Sequence, residues 1–79
     1  MSTASARRHF RVLTQTRGGY NGATMFDVQL QIAESGELVW AQTFTDPEQA
    51  RDYEATVEAD LDELDDADFR RKYGVPARA

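Results

Sequence analysis

The hydrophobic period of this chain changes once along its length, and that change limits the folds open to it. Between residues 26 and 32, the apolar residues Phe26, Val28, Leu30 and Ile32 alternate with polar ones. A period of two is typical of a strand with one buried face. From residue 50 onward, apolar residues recur at steps of three and four, which is typical of an amphipathic helix. The sequence therefore predicts strands followed by helix.

Three strands are predicted before the change of period. They are Phe10–Thr16, Thr24–Ala33 and Leu38–Phe44. Residues 17–22 contain Gly-Gly and Asn-Gly pairs, which favour turns, and should form a loop with Tyr20 at or near its tip. Residues 34–37 should form the second turn. Because both connections are short, we expect an antiparallel meander.

The two faces of the predicted sheet should differ in character. We expect Leu38, Trp40 and Phe44 to face the core, with Gln42 at the sheet margin. The opposite face, here called the open face, should be only half polar. Its members are Arg11, Leu13, Gln15, Met25, Asp27, Gln29, Gln31, Val39, Ala41 and Thr43. Both outer strands should keep an edge available for pairing.

Two helices are predicted after the third strand. Thr45 or Asp46 can cap the first, because both precede Pro47 and acidic residues follow. Its apolar stripe comprises Ala50, Tyr53, Val57, Leu61 and Leu64, with Asp60 near the margin. We expect Asp66 to cap a short second helix, Ala67–Tyr73, which ends at a left-handed Gly74.

Together these elements predict an α+β fold. A three-stranded antiparallel meander should pack against a C-terminal helix, followed by a short second helix, in the order β-β-β-α-α. A length of 79 residues is enough for one domain. We place this domain at residues 8–76, with flexible ends at residues 1–7 and 77–79.

No pattern typical of an enzyme or a cofactor site is present in the sequence. The absence of cysteine excludes disulfides, thiol nucleophiles and cysteine-bound metals. His9 is the only imidazole, and the sequence offers it no obvious catalytic partner. The acidic residues 60–68 lack the glycine and the spacing of an EF-hand. We therefore expect no enzymatic activity, no cofactor and no metal.

Negative charge is concentrated in the middle of the chain. Residues 34–66 hold twelve acids against Arg51 alone, and the formal net charge is −5. Such a segment repels nucleic acid and attracts a basic protein surface, although it can also serve only to keep a small protein in solution. Direct binding of nucleic acid is therefore not expected. The candidate partner-binding residues are Asp52, Glu54, Glu58, Asp62, Glu63, Asp65 and Asp66.

The sequence contains neither a predicted membrane span nor a secretory signal. No apolar run approaches the roughly 20 residues that a spanning helix needs, and no apolar stretch follows the arginines near the N-terminus. We therefore expect a cytoplasmic protein without membrane contacts.

Three strands lead into a capped helix, and the segment from Gly36 to Ala50 contains the run Phe-Thr-Asp-Pro-Glu-Gln-Ala. This combination resembles the AP2-like arm-binding domains of phage integrases, and the resemblance covers residues 8–64. In that family, the open face of the sheet enters a DNA groove. The resemblance implies DNA binding through this face and the N-terminal arginines. The residues concerned are Arg7, Arg8, Arg11, Gln15, Arg17, Gln29, Gln31 and Thr43. Apart from the resemblance, we expect Tyr20 to be exposed in its loop and to be a candidate interface anchor.

The order of strand, turn, strand, phenylalanine and helix in residues 35–64 also resembles small phage-encoded anti-CRISPR proteins. Several of those are small α+β domains that bind an effector complex and block its access to nucleic acid. The resemblance implies an inhibitor whose acidic helix imitates a row of phosphates.

Three functions are therefore open. The leading one is a small acidic, non-catalytic interaction protein of the inhibitor type that binds a basic, nucleic-acid-binding surface of a partner protein. The first alternative is the DNA-binding module, and the second is a homodimeric structural module joined through a strand edge or the open face. The chain should be a monomer or a homodimer.

Overall fold

A computed structural model describes residues 5–75 of the chain, so that residues 1–4 and 76–79, where most of the predicted flexible ends fall, lie outside it. Three strands are followed by two helices. They are β1 (Phe10–Gly18), β2 (Thr24–Ile32), β3 (Leu38–Phe44), α1 (Pro47–Glu63) and α2 (Asp66–Tyr73). The strands form one antiparallel sheet in the order β1-β2-β3. The predicted α+β architecture is confirmed.

The first hairpin is longer than predicted. β1 continues beyond Thr16 to Gly18, which pairs with Thr24, so that residues 19–23 alone form the loop. Asn21 and Gly22 adopt left-handed φ values of 58° and 77°. Asparagine and glycine tolerate this conformation better than other residues, and the tight loop therefore fits the sequence.

A β-bulge in β3 reverses one predicted assignment of faces. Trp40 pairs with Leu30, but Leu38 pairs with the next residue of β2, Gln31, so that Val39 is an extra residue on β3. An inserted residue shifts the alternation of side chains beyond it. Leu38 therefore joins the open face and is 53% exposed, whereas Val39 packs against the core. The predicted positions of these two side chains were wrong.

The beginning of α1 follows from local capping chemistry. Of the two predicted caps, the structure uses Asp46, whose carboxylate accepts a hydrogen bond of 2.9 Å from the backbone N–H of Glu48. Pro47 follows, at a position where the missing N–H costs nothing. The helix then runs to Glu63.

The second helix begins one residue earlier than predicted. Asp65 caps it by accepting a hydrogen bond of 2.8 Å from the backbone N–H of Asp68. Asp66 is already helical, so its predicted role as the cap was wrong. Gly74 ends the helix with a φ of 68°, as the sequence predicted.

The core lies between one face of the sheet and the apolar sides of both helices. Its largest fully buried side chains are Phe10, Val28, Leu30, Val57, Leu61 and Phe69. The predicted stripe of α1 is confirmed, since Ala50 is also buried and Tyr53 and Leu64 pack at the margin. The rings of Phe10 and Phe69 stack with their centroids 5.4 Å apart, which joins α2 to β1.

The packed region begins before residue 8, the predicted domain boundary. Ala6–Arg8 forms a turn of 3-10 helix in which Ala6 is completely buried. The backbone N–H of Ala6 donates a hydrogen bond of 2.8 Å to the carbonyl oxygen of Leu64. Ser5 bridges to Asp65 in an antiparallel arrangement. Residues 5–7 therefore belong to the domain, because they close the C-terminal end of α1.

Candidate functional site

The seven acidic candidates differ in how strongly the fold engages them. Asp52 and Glu63 are exposed on α1. The other five make side-chain contacts with residues of the described chain; they are Glu54, Glu58, Asp62, Asp65 and Asp66. The sequence analysis placed all seven on one acidic, partner-binding face. Within residues 5–75, the structure divides this face into carboxylates that make no side-chain contact, here called free, and carboxylates that contact other residues of the fold.

Arg7 holds two of the acidic candidates in fixed positions. Its Nη2 lies 2.6 Å from Oε1 of Glu58 and its Nε lies 2.5 Å from Oδ1 of Asp62. Nη2 also donates a hydrogen bond of 3.2 Å to the Glu58 carbonyl oxygen. The hydrogen bonds to Asp62 and then Glu58 raise the pKa of Arg7, and the contact with Arg7 lowers the pKa of Asp62. One positive charge faces two negative ones, so this group keeps a net negative charge.

Glu54, Asp65 and Asp66 have mainly structural contacts. The hydroxyl of Thr14 donates a hydrogen bond of 2.6 Å to Glu54, which ties α1 to β1. Asp65 caps α2, and Asp66 forms an ion pair of 3.0 Å with Arg70 one turn later. Glu54 links α1 to β1 and Asp65 caps α2, so substituting either would disturb the fold together with any binding surface, whereas Asp66 forms its ion pair within its own helix.

Asp60 is a buried carboxylate whose partners the sequence analysis missed. It accepts a hydrogen bond from the Tyr73 hydroxyl at 2.5 Å and lies 2.8 Å from the Lys72 ammonium group. The contacts with Lys72 and then Tyr73 lower the pKa of Asp60, whereas burial and the Asp60 contact raise the pKa of Tyr73. The spacing offered one signal: Asp60 follows Val57 by three residues, within the apolar stripe.

The open face of the sheet carries an ordered row of polar side chains. Arg11 donates a hydrogen bond of 3.0 Å to Gln31, which donates one of 3.0 Å to Gln29. The Gln29 amide in turn lies 3.4 Å from the Gln15 oxygen. Three of the four alternative interface residues, Arg11, Gln29 and Gln31, therefore lie together, whereas Tyr20 belongs to the hairpin loop.

A second network on the open face is centred on Asp27. Arg17 forms an ion pair of 2.9 Å with this carboxylate, and the Thr43 hydroxyl donates a hydrogen bond of 2.7 Å to it. The hydrogen bonds from Arg17 and then Thr43 lower the pKa of Asp27 to about 2. Asp27 of β2 therefore links Arg17 of β1 to Thr43 of β3.

Replacing Arg17 with alanine is expected to raise the pKa of Asp27 from about 2 toward its ordinary 3.8. Because the folded-state pKa is lowered, the pair stabilises the fold above the unfolded pKa, and this contribution is lost as the pH falls through about 2. NMR titration of the side-chain carboxyl carbon measures the shift. Arg11→Ala is the matched control and should leave this pKa in place. An unchanged pKa in Arg17→Ala would disprove the ion pair.

The four arginines of the DNA-binding alternative do not form one surface. Arg11 and Arg17 lie on the open face, and each contacts a side chain of β2. Arg7 lies against α1, which packs on the other face of the sheet. Arg8 is exposed in the 3-10 turn. The arrangement contains no basic stripe along the open face.

Within residues 5–75, no His, Asp or Glu side chains form a group of three that could hold a metal ion. None of the helices in the same range has the length and the apolar character needed to cross a bilayer. Comparisons of the chain with protein-family models, with curated proteins and with solved structures found no match.

Proposed function

We propose that this chain is a small, non-catalytic interaction protein of the inhibitor type, whose acidic α1 face docks on a basic, nucleic-acid-binding surface of another protein. One observation carries the proposal: within residues 5–75, ion pairs engage most of the cations and leave an excess of carboxylates. The cations without an ion pair in this range are Arg8, Arg11 and Arg51, whereas eight carboxylates are without one. The charge that remains for a partner is therefore negative.

The structure also supplies a reason why α1 can bind with little loss of entropy. Asp52 and Glu63 lie on a helix that is capped at its beginning and clamped by Arg7 near its end. At 1.5 Å per residue, they are about 16 Å apart along the axis, with the Arg7-bound carboxylates between them. The helix backbone and the carboxylates held by Arg7 lose little conformational freedom on binding, and a complementary basic surface steers the encounter.

The proposal is tested with single charge reversals at the two free carboxylates. Asp52→Lys and Glu63→Lys are each expected to reduce retention of a basic partner from native cell extract by at least about tenfold. Glu34→Lys, in the turn between β2 and β3, is the matched control because it changes the net charge equally. Added DNA should compete with the partner, and retention should fall as salt rises, since screening acts over about 8–10 Å.

Two outcomes would contradict the docking of α1 on a basic partner. If Asp52→Lys, Glu63→Lys and Glu34→Lys retain the same proteins to the same extent, the α1 face is not the binding surface. If the chain itself retards duplex DNA in a low-salt gel, and Arg11→Ala abolishes this, the DNA-binding alternative replaces the proposal.

A further inference from the structure

The outer edge of β3 carries no charge. β3 is the last strand of the sheet, and within residues 5–75 no strand pairs with its outer side. None of its seven residues is charged, whereas β1 at the other edge contains Arg11 and Arg17. Exposed strand edges are commonly protected by charged residues or proline. Apart from the bulge at Val39, β3 has no such protection, so its backbone N–H and C=O groups are available for pairing.

The aromatic side chains of the core next to β3 are also only partly covered. Trp40 and Phe44 are only half-buried, and so are the rings that they contact. The Trp40 ring centroid lies 5.9 Å from that of Tyr53 and 6.0 Å from that of Tyr73. At the other edge of the sheet, Phe10 is almost completely buried. A strand added beside β3 would cover these aromatic rings.

Acidic residues stand at both ends of this uncharged edge. Glu37 precedes β3, and Asp46 and Glu48 follow it, all of them exposed. Antiparallel pairing of two copies about Ala41 would bring the Glu37 end of each copy to the Asp46 end of the other. Like charges would then meet at both ends of the interface, in a chain whose net charge is already −5. The charges favour a basic segment over a second copy.

We propose that the outer edge of β3 binds an extended segment of another protein, with uncharged β-forming residues at its centre and lysine or arginine at its ends. Main-chain hydrogen bonds extend the sheet by one strand, and the central side chains cover Trp40 and Phe44. The basic ends contact the carboxylates of Glu37 and Asp46. This edge is separate from Asp52 and Glu63, the α1 carboxylates of the docking proposal, and the inference does not depend on the docking of α1.

A synthetic peptide tests the proposal, because Trp40 is the only tryptophan of the chain and lies on β3. The probe is the acetylated peptide Lys-Lys-Val-Thr-Val-Thr-Val-Lys-Lys. We expect it to shift the Trp40 emission to shorter wavelengths in a saturable way below about 1 mM. Backbone amides of β3 should exchange more slowly with deuterium in its presence. Peptides with glutamate at the ends, or with alternate central amides N-methylated, should bind at least about tenfold more weakly.

Two lysine variants locate the site. Gln29 of the middle strand pairs with Leu13 of β1 and with Ala41 of β3, so these two residues occupy equivalent places at opposite edges. Ala41→Lys should weaken peptide binding at least about tenfold, and Leu13→Lys should leave it within about twofold. Circular dichroism of both variants serves as the check that they are folded. Asp52→Lys should bind the peptide normally, which separates this test from that of α1.

Any one of five results would overturn the proposal. The first is that the Trp40 emission does not respond to the peptide. The second and third are that the N-methylated peptide or the glutamate-ended peptide binds as well as the original one. The fourth is that Leu13→Lys weakens binding as much as Ala41→Lys, which would assign the peptide to the open face. The fifth is that sedimentation shows a dimer that Ala41→Lys dissociates, which would assign the edge to a second copy of the chain.

Discussion

Phe69→Ala is expected to leave the domain largely unfolded at room temperature. The Phe69 side chain is completely buried, and its ring centroid lies 5.4 Å from that of Phe10 and 4.6 Å from that of Tyr73. Truncating a buried phenylalanine costs about 3–5 kcal/mol, through lost burial and the cavity left behind. A single core in a chain of this length supplies about 3–5 kcal/mol of net stability. The substitution therefore removes most of the free energy of unfolding.

Urea denaturation followed by circular dichroism measures this loss. Leu38→Ala is the matched control, because Leu38 is 53% exposed on the open face and its truncation should change stability by less than about 0.5 kcal/mol. An equal loss in both variants would show that Leu38 is part of the core, and the assignment of faces by the β-bulge would then be wrong.

Asp60→Ala is expected to reduce the free energy of unfolding by about 1–3 kcal/mol at neutral pH. The substitution removes the carboxylate that accepts the Tyr73 hydrogen bond and faces the Lys72 ammonium group. Tyr73 is half-buried and its hydroxyl loses the hydrogen bond to Asp60, which adds to the cost. Since Tyr73 and Lys72 are both on α2, the contact of this helix with α1 should weaken most.

The contribution of Asp60 should depend on pH in a defined direction. The pKa of Asp60 is lowered in the folded state below its ordinary 3.8 by Lys72 and Tyr73. Its stabilising effect is therefore complete above the unfolded pKa and is lost as the pH falls through the folded pKa. The difference in stability between the wild-type chain and Asp60→Ala should accordingly shrink as the pH falls below about 4.

Urea denaturation at a series of pH values measures both effects. Asp68→Ala is the matched control, because the Asp68–Arg71 pair is exposed and should contribute less than about 1 kcal/mol. If Asp60→Ala and Asp68→Ala lose equal stability, or if the difference for Asp60 does not change with pH, the buried network does not stabilise the fold.

Charge patterning predicted the acidic character of α1, but not which of its carboxylates are free and which contact other residues of the fold. Twelve acids in residues 34–66 are a property of composition. Which of them is free depends on partners far away in the chain, such as Arg7, which lies 51 residues from Glu58 and 55 from Asp62. Spacing along one helix contains no information about such pairs, so the choice of Asp52 and Glu63 for the binding test required the structure.

The sequence alone determined the order of the elements and most of their ends. Alternation, helical spacing and capping are relations among residues at most four positions apart. The alternating strand that begins at Thr24, a cap of α1 at Thr45 or Asp46, and the left-handed Gly74 follow from them. The tertiary structure decided the rest. It exchanged the faces of Leu38 and Val39 through a bulge and brought residues 5–7 against α1. These features arise from the register between strands and from contacts between distant segments, whose free energies no local pattern records.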